Sequence, residues 1–169
     1  SVVALPMSPP SSCESYNPQS RKEGSPNHQP ITPFLQGQPL RLSHLANAAV
    51  AALLEHDVRV LVTGTEARSA LTDNMKRDMV HVEPFVPHDA VMERAALFIS
   101  HGGHGGVMRA MLHGVPMVLV PFGRDQVGIG YRAERLGIAK VVPKDALNVD
   151  SVDRAINAVL TDPAIVAAS

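Results

Sequence analysis

From residue 42 onward, apolar positions alternate between helical spacing and short continuous runs. Leu42, Leu45, Ala49 and Leu53 recur at helical spacing, and the following run "VRVLVTG" is typical of a buried strand that ends in a turn. The alternation continues to the end of the chain. Strands are predicted at Val2 to Leu5, Val58 to Thr63, Met79 to Glu83, Leu97 to Ser100, Met117 to Val120 and Ala139 to Val142. Helices are predicted near 42–55, 66–77, 88–95, 105–113 and 126–136, and a last one places Val149, Val152, Ile156, Val159 and Leu160 on one face.

Short apolar strands that alternate with helices predict an α/β fold with a parallel sheet covered on both faces. We expect a Rossmann-like, doubly wound sheet of about six strands. In the common strand order 3-2-1-4-5-6, the ligand lies at the carboxyl ends of the first and fourth strands. The predicted fourth strand, "LFIS", leads directly into a glycine-rich loop at that place.

The segment 8–40 differs in composition from the rest of the chain. It is rich in Pro, Ser, Asn and Gln and shows no apolar period, which is typical of an irregular loop or insertion. We therefore divide the chain into a first strand at 1–7, this Pro/Ser-rich segment at 8–40, and the remainder of a single domain at 41–169.

Composition excludes several classes of protein. The net charge is -1, with 15 basic and 16 acidic residues, so a nucleic-acid partner is not expected. A single cysteine, Cys13, excludes an internal disulfide and favours a reducing compartment. No apolar run approaches the ~20 residues of a membrane span, and the first residues lack the basic start of a secretory signal. We expect a cytoplasmic protein without a membrane span.

The glycine-rich loop has the features of an anion site. His101-Gly102-Gly103-His104-Gly105-Gly106 joins a strand to a helix on which Val107, Met108, Met111 and Leu112 are predicted to face inward. Glycines let backbone N–H groups approach a phosphate, and the helix N-terminus adds partial positive charge. His101 is placed to donate to a diphosphate. Taken alone, however, such a cluster is more often only a tight strand-to-helix turn.

Two other interpretations of the glycines and histidines are weaker. His101, His104 and His113 have part of a metal-site spacing, but no Cys, Asp or Glu lies among them, so no metal is expected. Gly128 and Gly130 match a dinucleotide fingerprint, with Asp150 further along, but the match follows the fifth strand rather than the first.

Asp125 and Gln126 follow the fifth predicted strand and therefore reach the same sheet edge as the glycine loop. A carboxylate accepts protons from two hydroxyls, and an amide both donates and accepts, so the pair suits vicinal sugar hydroxyls. An equally good interpretation is that Asp125 is the N-cap of the following helix.

The stretch "FVPHDAVMERAALFISHGGHGGVMRAMLHGVPMVLVPFGRDQ" resembles the donor-binding signature of GT-B nucleotide-sugar glycosyltransferases, closest in look to bacterial antibiotic and natural-product enzymes. The resemblance implies that this chain is one half of a GT-B fold. Val86 and His88 would then meet the donor nucleobase, and His101, Gly102, Gly103, Gly105 and Gly106 the diphosphate. Asp125 and Gln126 would bind the sugar hydroxyls, and the segment beginning at Ser8 would follow the first strand near the phosphates.

Several features depart from the family pattern: Ile129-Gly130 stands where an Asn-Ala pair is usual, the segment 8–40 is longer than expected, and two of the departures fall at expected contacts. The acid that commonly holds the ribose hydroxyls is Arg109 here, so Arg109 is a doubtful ribose or phosphate contact. The Ser or Thr that often touches phosphate is Gly106.

The resemblance implies an inverting hexosyltransferase that uses a UDP-sugar or dTDP-sugar and a small-molecule hydroxyl acceptor, without a cofactor. The general base would lie in an acceptor-binding N-terminal domain or a separate subunit, so no catalytic residue is expected in this chain, which would be inactive alone. Two alternatives stay open: a separate donor subunit of a two-chain GlcNAc transferase, and a non-catalytic or degenerate nucleotide-sugar-binding domain.

Overall fold

The structure, a computed structural model, describes residues 1–7, 42–64, 71 and 78–168. Its strands are β1 (Val2–Pro6), β2 (Val58–Thr63), β3 (Val80–Glu83), β4 (Leu97–Ser100), β5 (Met117–Leu119) and β6 (Ala139–Val141). The described helices are α1 (Leu42–Leu53), α2 (His88–Met92), α3 (His104–Leu112), α4 (Asp125–Arg135), α5 (Val149–Thr161) and α6 (Pro163–Ala168), with a 3-10 turn at Lys144–Ala146. The strands form one sheet in the order β3-β2-β1-β4-β5-β6.

The α/β class, the positions of the strands and their order are as the sequence predicts. The predicted helix at 66–77 lies outside the described residues except for Leu71, which is buried. The Pro/Ser-rich segment at 8–40 also lies outside them, so the proposed division of the chain remains a prediction.

The direction of β1 differs from the prediction of a parallel sheet. β1 pairs antiparallel with both neighbours, β2 and β4, whereas the other pairs are parallel. Pro6, at the carboxyl end of β1, therefore lies beside Val58 at the start of β2. β1 therefore ends at the edge opposite the glycine loop. The expectation that the segment beginning at Ser8 lies near the phosphates falls outside the described residues and stays a prediction. The apolar run "VVALP" carries no signal for direction, because side chains alternate between the two faces in either orientation.

Helices cover both faces of the sheet, as predicted. On one face α1, α5 and α6 bury Leu53, Ile156 and Ile165 against the strands. On the other, α2, α3 and α4 bury Met92, Val107 and Ala133. All of these side chains are almost fully withdrawn from solvent, so the sheet is a rigid platform for the loops at its carboxyl edge.

Helix α3 turns a different face to the core from the one predicted. Val107 and Ala110 are buried, but Met108 and Met111 are exposed and Leu112 is 79% exposed. The apolar positions of α3 nearly encircle the helix, so the period alone did not choose between faces. The buried face is the one that carries the smaller side chains of Val107 and Ala110, because these let the helix approach the sheet.

Gly128 and Gly130 lie inside α4 and not in a strand-to-helix turn, which is why the dinucleotide fingerprint is accidental. Gly130 is buried, and a Cβ there would meet Pro121 Cγ at 3.1 Å and Val141 Cγ2 at 3.4 Å. It is therefore a packing glycine that lets α4 lie close to the sheet. Across the described ranges, no helix is long and apolar enough to span a bilayer.

Candidate functional site

The glycine loop begins where β4 ends. Ser100 is buried, and its Oγ accepts a hydrogen bond from Gly102 N at 3.2 Å. Gly102 has a φ of +80°, a conformation that L side chains rarely adopt. Gly103 is the N-cap of α3 and supplies no side-chain cap. Gly106 N donates to Gly103 O at 3.1 Å, so the N–H groups of His104 and Gly105 are the ones left for an anionic ligand.

His101 lies against this helix start. A Cβ on Gly103 would fall 2.8 Å from His101 Nε2 and 3.4 Å from its Cε1, so the imidazole packs on the glycine backbone. Burial lowers the pKa of His101, and the Asp125 carboxylate opposes that shift. The ring is thus mainly neutral near pH 7, with one N–H that can donate to a ligand oxygen.

Gly106 is also explained by packing. A Cβ there would lie 3.1 Å from Phe98 Cζ and 3.2 Å from its Cε1. A larger side chain at this position would press on that ring. Gly106 therefore lets α3 lie close to the phenylalanine in β4.

Asp125 and Gln126 open α4 beside the glycine loop. Gln126 O lies 3.5 Å from the Cβ position of Gly102, so the two turns are in contact. Gln126 Oε1 accepts from Phe122 N at 3.0 Å, which leaves its amide NH₂ as the outward group. The N-cap of α4 is Arg124 and no side-chain cap is made, so the interpretation of Asp125 as the N-cap is wrong. Its exposed carboxylate can accept from ligand hydroxyls.

The predicted nucleobase residues lie in a second group, around α2. His88 begins α2 and its Nε2 is buried with no hydrogen-bond partner in the part of the chain that the structure describes, while Val86 is half-buried just before it. Burial lowers the pKa of His88, and the Arg109 guanidinium lowers it further. Arg109 Nε lies 3.5 Å from Asp89 Oδ1, and Arg109 Nη1 donates to Gly105 O at 3.4 Å.

These contacts connect the two groups. Arg109 spans from the α2 start to the first turn of α3, between the nucleobase residues and the phosphate loop. Both partners of the Arg109–Asp89 pair are substantially exposed, at 46% and 63%, so the pair adds little stability. The guanidinium is therefore free to exchange Asp89 for a ligand oxygen.

The three loop histidines do not converge on one point. His113 Nε2 lies 3.4 Å from Asp89 Oδ1, and His104 is exposed on the first turn of α3. Within the described ranges, no group of three or more His, Cys, Asp or Glu side chains is arranged to hold a metal ion.

Two residues of this edge were not identified from the sequence. Ser100 shapes the loop through its hydroxyl, and a Ser directly before a glycine run is a signal for such a turn. Arg124 has a φ of 58° and is the non-glycine residue with positive φ in the described chain. An arginine gives no sequence signal for that conformation.

Comparison with known proteins now decides the family. The family described as erythromycin biosynthesis protein CIII-like, C-terminal domain, matches residues 47–169. The chain belongs to this family. It is the C-terminal domain of a GT-B glycosyltransferase, as the sequence pattern indicated.

Relatives of this C-terminal domain include enzymes of antibiotic biosynthesis. It is 32% identical over 115 residues to 4'-demethylrebeccamycin synthase of Lentzea aerocolonigenes, covering 68% of this chain and 27% of that protein. It is 42% identical over 77 residues to NDP-glycosyltransferase YjiC of Bacillus subtilis (strain 168), covering 46% of this chain and 20% of that protein. The chain thus spans about a quarter of these relatives.

Solved structures agree with the fold. The glycosyltransferase VinC in complex with dTDP matches with a TM-score of 0.63 and 26% identity, over 76% of this chain and 31% of that one. The calicheamicin glycosyltransferase CalG4 matches with a TM-score of 0.63 and 25% identity, over 85% of this chain and 39% of that one.

Proposed function

We propose that this chain is the nucleotide-sugar-binding half of an inverting glycosyltransferase that moves a hexose from a UDP-sugar or dTDP-sugar to a hydroxyl of a small molecule. The observation that carries the proposal is the contact between two turns: the His101–Gly103 loop at the start of α3 lies directly against the Asp125–Gln126 start of α4. The proposed diphosphate site and the proposed contacts to sugar hydroxyls are therefore adjacent, as binding of a nucleotide sugar requires.

The diphosphate would lie on the first turn of α3. The N–H groups there and the helix dipole favour an anion, and His101 adds a donor from the side. Because these donors are already oriented, they stabilise the negative charge that grows on the departing nucleoside diphosphate. This is the role of the chain in catalysis, and it needs no proton from His101.

The hexose would lie over the start of α4. Asp125 accepts from a pair of hydroxyls, and the Gln126 NH₂ donates to a third oxygen. These contacts orient the anomeric carbon for attack from the side opposite the diphosphate.

The displacement needs a base that this chain does not supply. The acceptor oxygen forms a bond to the anomeric carbon, the bond from that carbon to the phosphate oxygen breaks, and the bonding pair leaves with the diphosphate. The acceptor proton passes to a base in an acceptor-binding N-terminal domain, which the relatives' greater length suggests. The isolated chain should therefore bind donor without turnover.

Arg109 takes the place of an acidic ribose contact. A guanidinium donates and does not accept. With Asp89 holding it near Gly105, Arg109 would donate to an α-phosphate or ribose oxygen. The alternatives of a separate GlcNAc-transferase subunit and of a degenerate domain are not favoured, because the matched relatives include natural-product glycosyltransferases such as 4'-demethylrebeccamycin synthase and CalG4.

Isothermal calorimetry tests the proposal. UDP, dTDP and UDP-glucose are titrated into the chain and into the His101→Ala variant, with uridine as the phosphate-free control. We expect at least one diphosphate to bind well below millimolar, uridine to bind much more weakly, and the variant to lose about 1–3 kcal/mol. If neither UDP nor dTDP binds at millimolar concentration, the donor site is refuted.

A further inference from the structure

Arg124 occupies an unusual place at this site. It precedes Asp125 directly, and its φ of 58° and ψ of -140° are a conformation suited to glycine. Non-glycine residues held in such regions are strained, and they cluster at functional sites. Gly123 before it also has a positive φ, so a glycine would be conformationally acceptable at this turn. An arginine is found there instead.

The guanidinium of Arg124 is unengaged in the described part of the chain. The residue is exposed, and no hydrogen bond or ion pair to another described residue involves it. Arg124 is itself the N-cap of α4, and its side chain makes no cap hydrogen bond, because a guanidinium cannot accept from the helix N–H groups. A strained residue with an unpaired cation is therefore displayed at the edge that carries the proposed sugar contacts.

The neighbouring groups define what this cation would meet. Gln126 Oε1 is committed to Phe122 N, so Gln126 presents only donors. Asp125 alone presents an acceptor, and the N-terminus of α4 adds partial positive charge. Donors and positive charge thus exceed acceptors at this end, which favours a sugar that carries acceptor oxygens, above all a carboxylate.

We propose that Arg124 is a specificity-determining residue of the sugar site and that it favours a hexuronic acid donor over the matching neutral hexose. This inference rests on the proposed donor site and names the class of sugar that it takes.

The test uses pairs of donors that differ only in oxidation at C6. UDP-glucuronate is compared with UDP-glucose, and UDP-galacturonate with UDP-galactose, by calorimetry, with UDP as the reference. We expect the wild-type chain to bind at least one uronate about three- to tenfold more tightly than its neutral partner. Arg124→Gly, which suits the backbone, should bring that ratio close to one while the affinity for UDP is unchanged. Arg124→Lys, which keeps the charge, should retain part of the preference.

The outcomes separate the two proposals. If neither UDP nor dTDP binds, the donor site is overturned and this inference with it; if only dTDP binds, dTDP-glucuronate and dTDP-glucose are the pair compared. Binding of UDP and of all four sugars without a uronate preference overturns only the role of Arg124, as does a preference that persists in Arg124→Gly. An equal loss of affinity for UDP and every sugar in Arg124→Gly would also overturn it, because Arg124 would then contact the diphosphate. Thermal unfolding of Arg124→Gly at or above the wild-type midpoint confirms that the variant is folded.

Discussion

The contact between Gly103 and His101 allows a precise test of the diphosphate site. Gly103→Ala adds one methyl group at a residue whose φ of -64° and ψ of 136° suit any L residue. The backbone therefore tolerates alanine, and the only obstacle in the described structure is the imidazole. The added Cβ would lie 2.8 Å from His101 Nε2, about 0.6 Å inside the 3.4 Å at which ordinary contact begins. The ring must move away from the helix start.

The displacement should be seen in binding more than in stability. A half-buried side chain on a loop can rotate toward solvent, so we expect the unfolding midpoint to change little. A displaced imidazole loses its hydrogen bond to the diphosphate, which is a charged acceptor. Such bonds contribute about 1.5–3 kcal/mol, and partial loss gives about 1–2 kcal/mol, or a five- to thirtyfold rise in Kd.

Calorimetry with UDP or dTDP, whichever binds the wild-type chain more tightly, measures this effect in a double-mutant cycle with His101→Ala. If Gly103→Ala acts by moving the ring, it should have almost no effect in the His101→Ala background. Gly128→Ala is the matched control, since a Cβ there meets nothing within 4 Å inside α4 and should leave binding unchanged. An equal loss in both backgrounds would refute the reasoning, because the methyl group would then be blocking the ligand itself.

Three further predictions concern protonation, the nucleoside contact and the core. Burial lowers the pKa of His88 and His101, so their contribution to stability is complete above about pH 6.5 and declines as the pH falls below it. Thermal unfolding midpoints measured from pH 7.5 to 5 should therefore fall less steeply in the His88→Gln/His101→Gln variant than in the wild type. The same slope in both proteins would contradict this. Arg109→Glu should increase the preference for UDP over 2'-deoxy-UDP by about fivefold relative to the wild-type chain, since a carboxylate accepts from the 2'-hydroxyl. The same preference in variant and wild type by calorimetry would remove residue 109 from the ribose. His56 Nε2 contacts Asp153 Oδ1 at 2.9 Å, and the two side chains are only 4% and 18% exposed. Asp153→Ala should therefore lower the free energy of unfolding, measured in urea, by about 1–3 kcal/mol. The control is Glu83→Ala, which removes an exposed pair with His81 and should change that free energy by less than about 0.5 kcal/mol.

The sequence was sufficient for the order of the sheet and for the edge at which the loops after β4 and β5 meet. Strands β2 and β4 are short, mostly apolar runs between turn residues, and their bounds follow from composition. The two loops meet because the parallel strands β4 and β5 end at the same edge. These are local patterns whose consequences do not depend on distant contacts.

Other features depended on packing that a single sequence does not show. The direction of β1 is decided by its neighbours β2 and β4, since "VVALP" fits either way. The exposed face of α3 is decided by how closely Gly106 approaches Phe98. The positive φ of Arg124 and the engagement of Gln126 Oε1 arise from the turn between β5 and α4. No propensity of either residue type predicts them.

The close approach at Gly130 reaches further than the core. Helix α4 is a rigid rod, and Gly130 lies five residues, or about 7.5 Å along the axis, from Asp125. A side chain at Gly130 would push against Pro121 and Val141 and tilt the rod, so the Asp125 carboxylate at its N-terminus would swing relative to the glycine loop. With the sugar bound as proposed, donor preference would respond to a buried position that the ligand does not touch, and a search for variants with new donors should include the neighbours of Gly130.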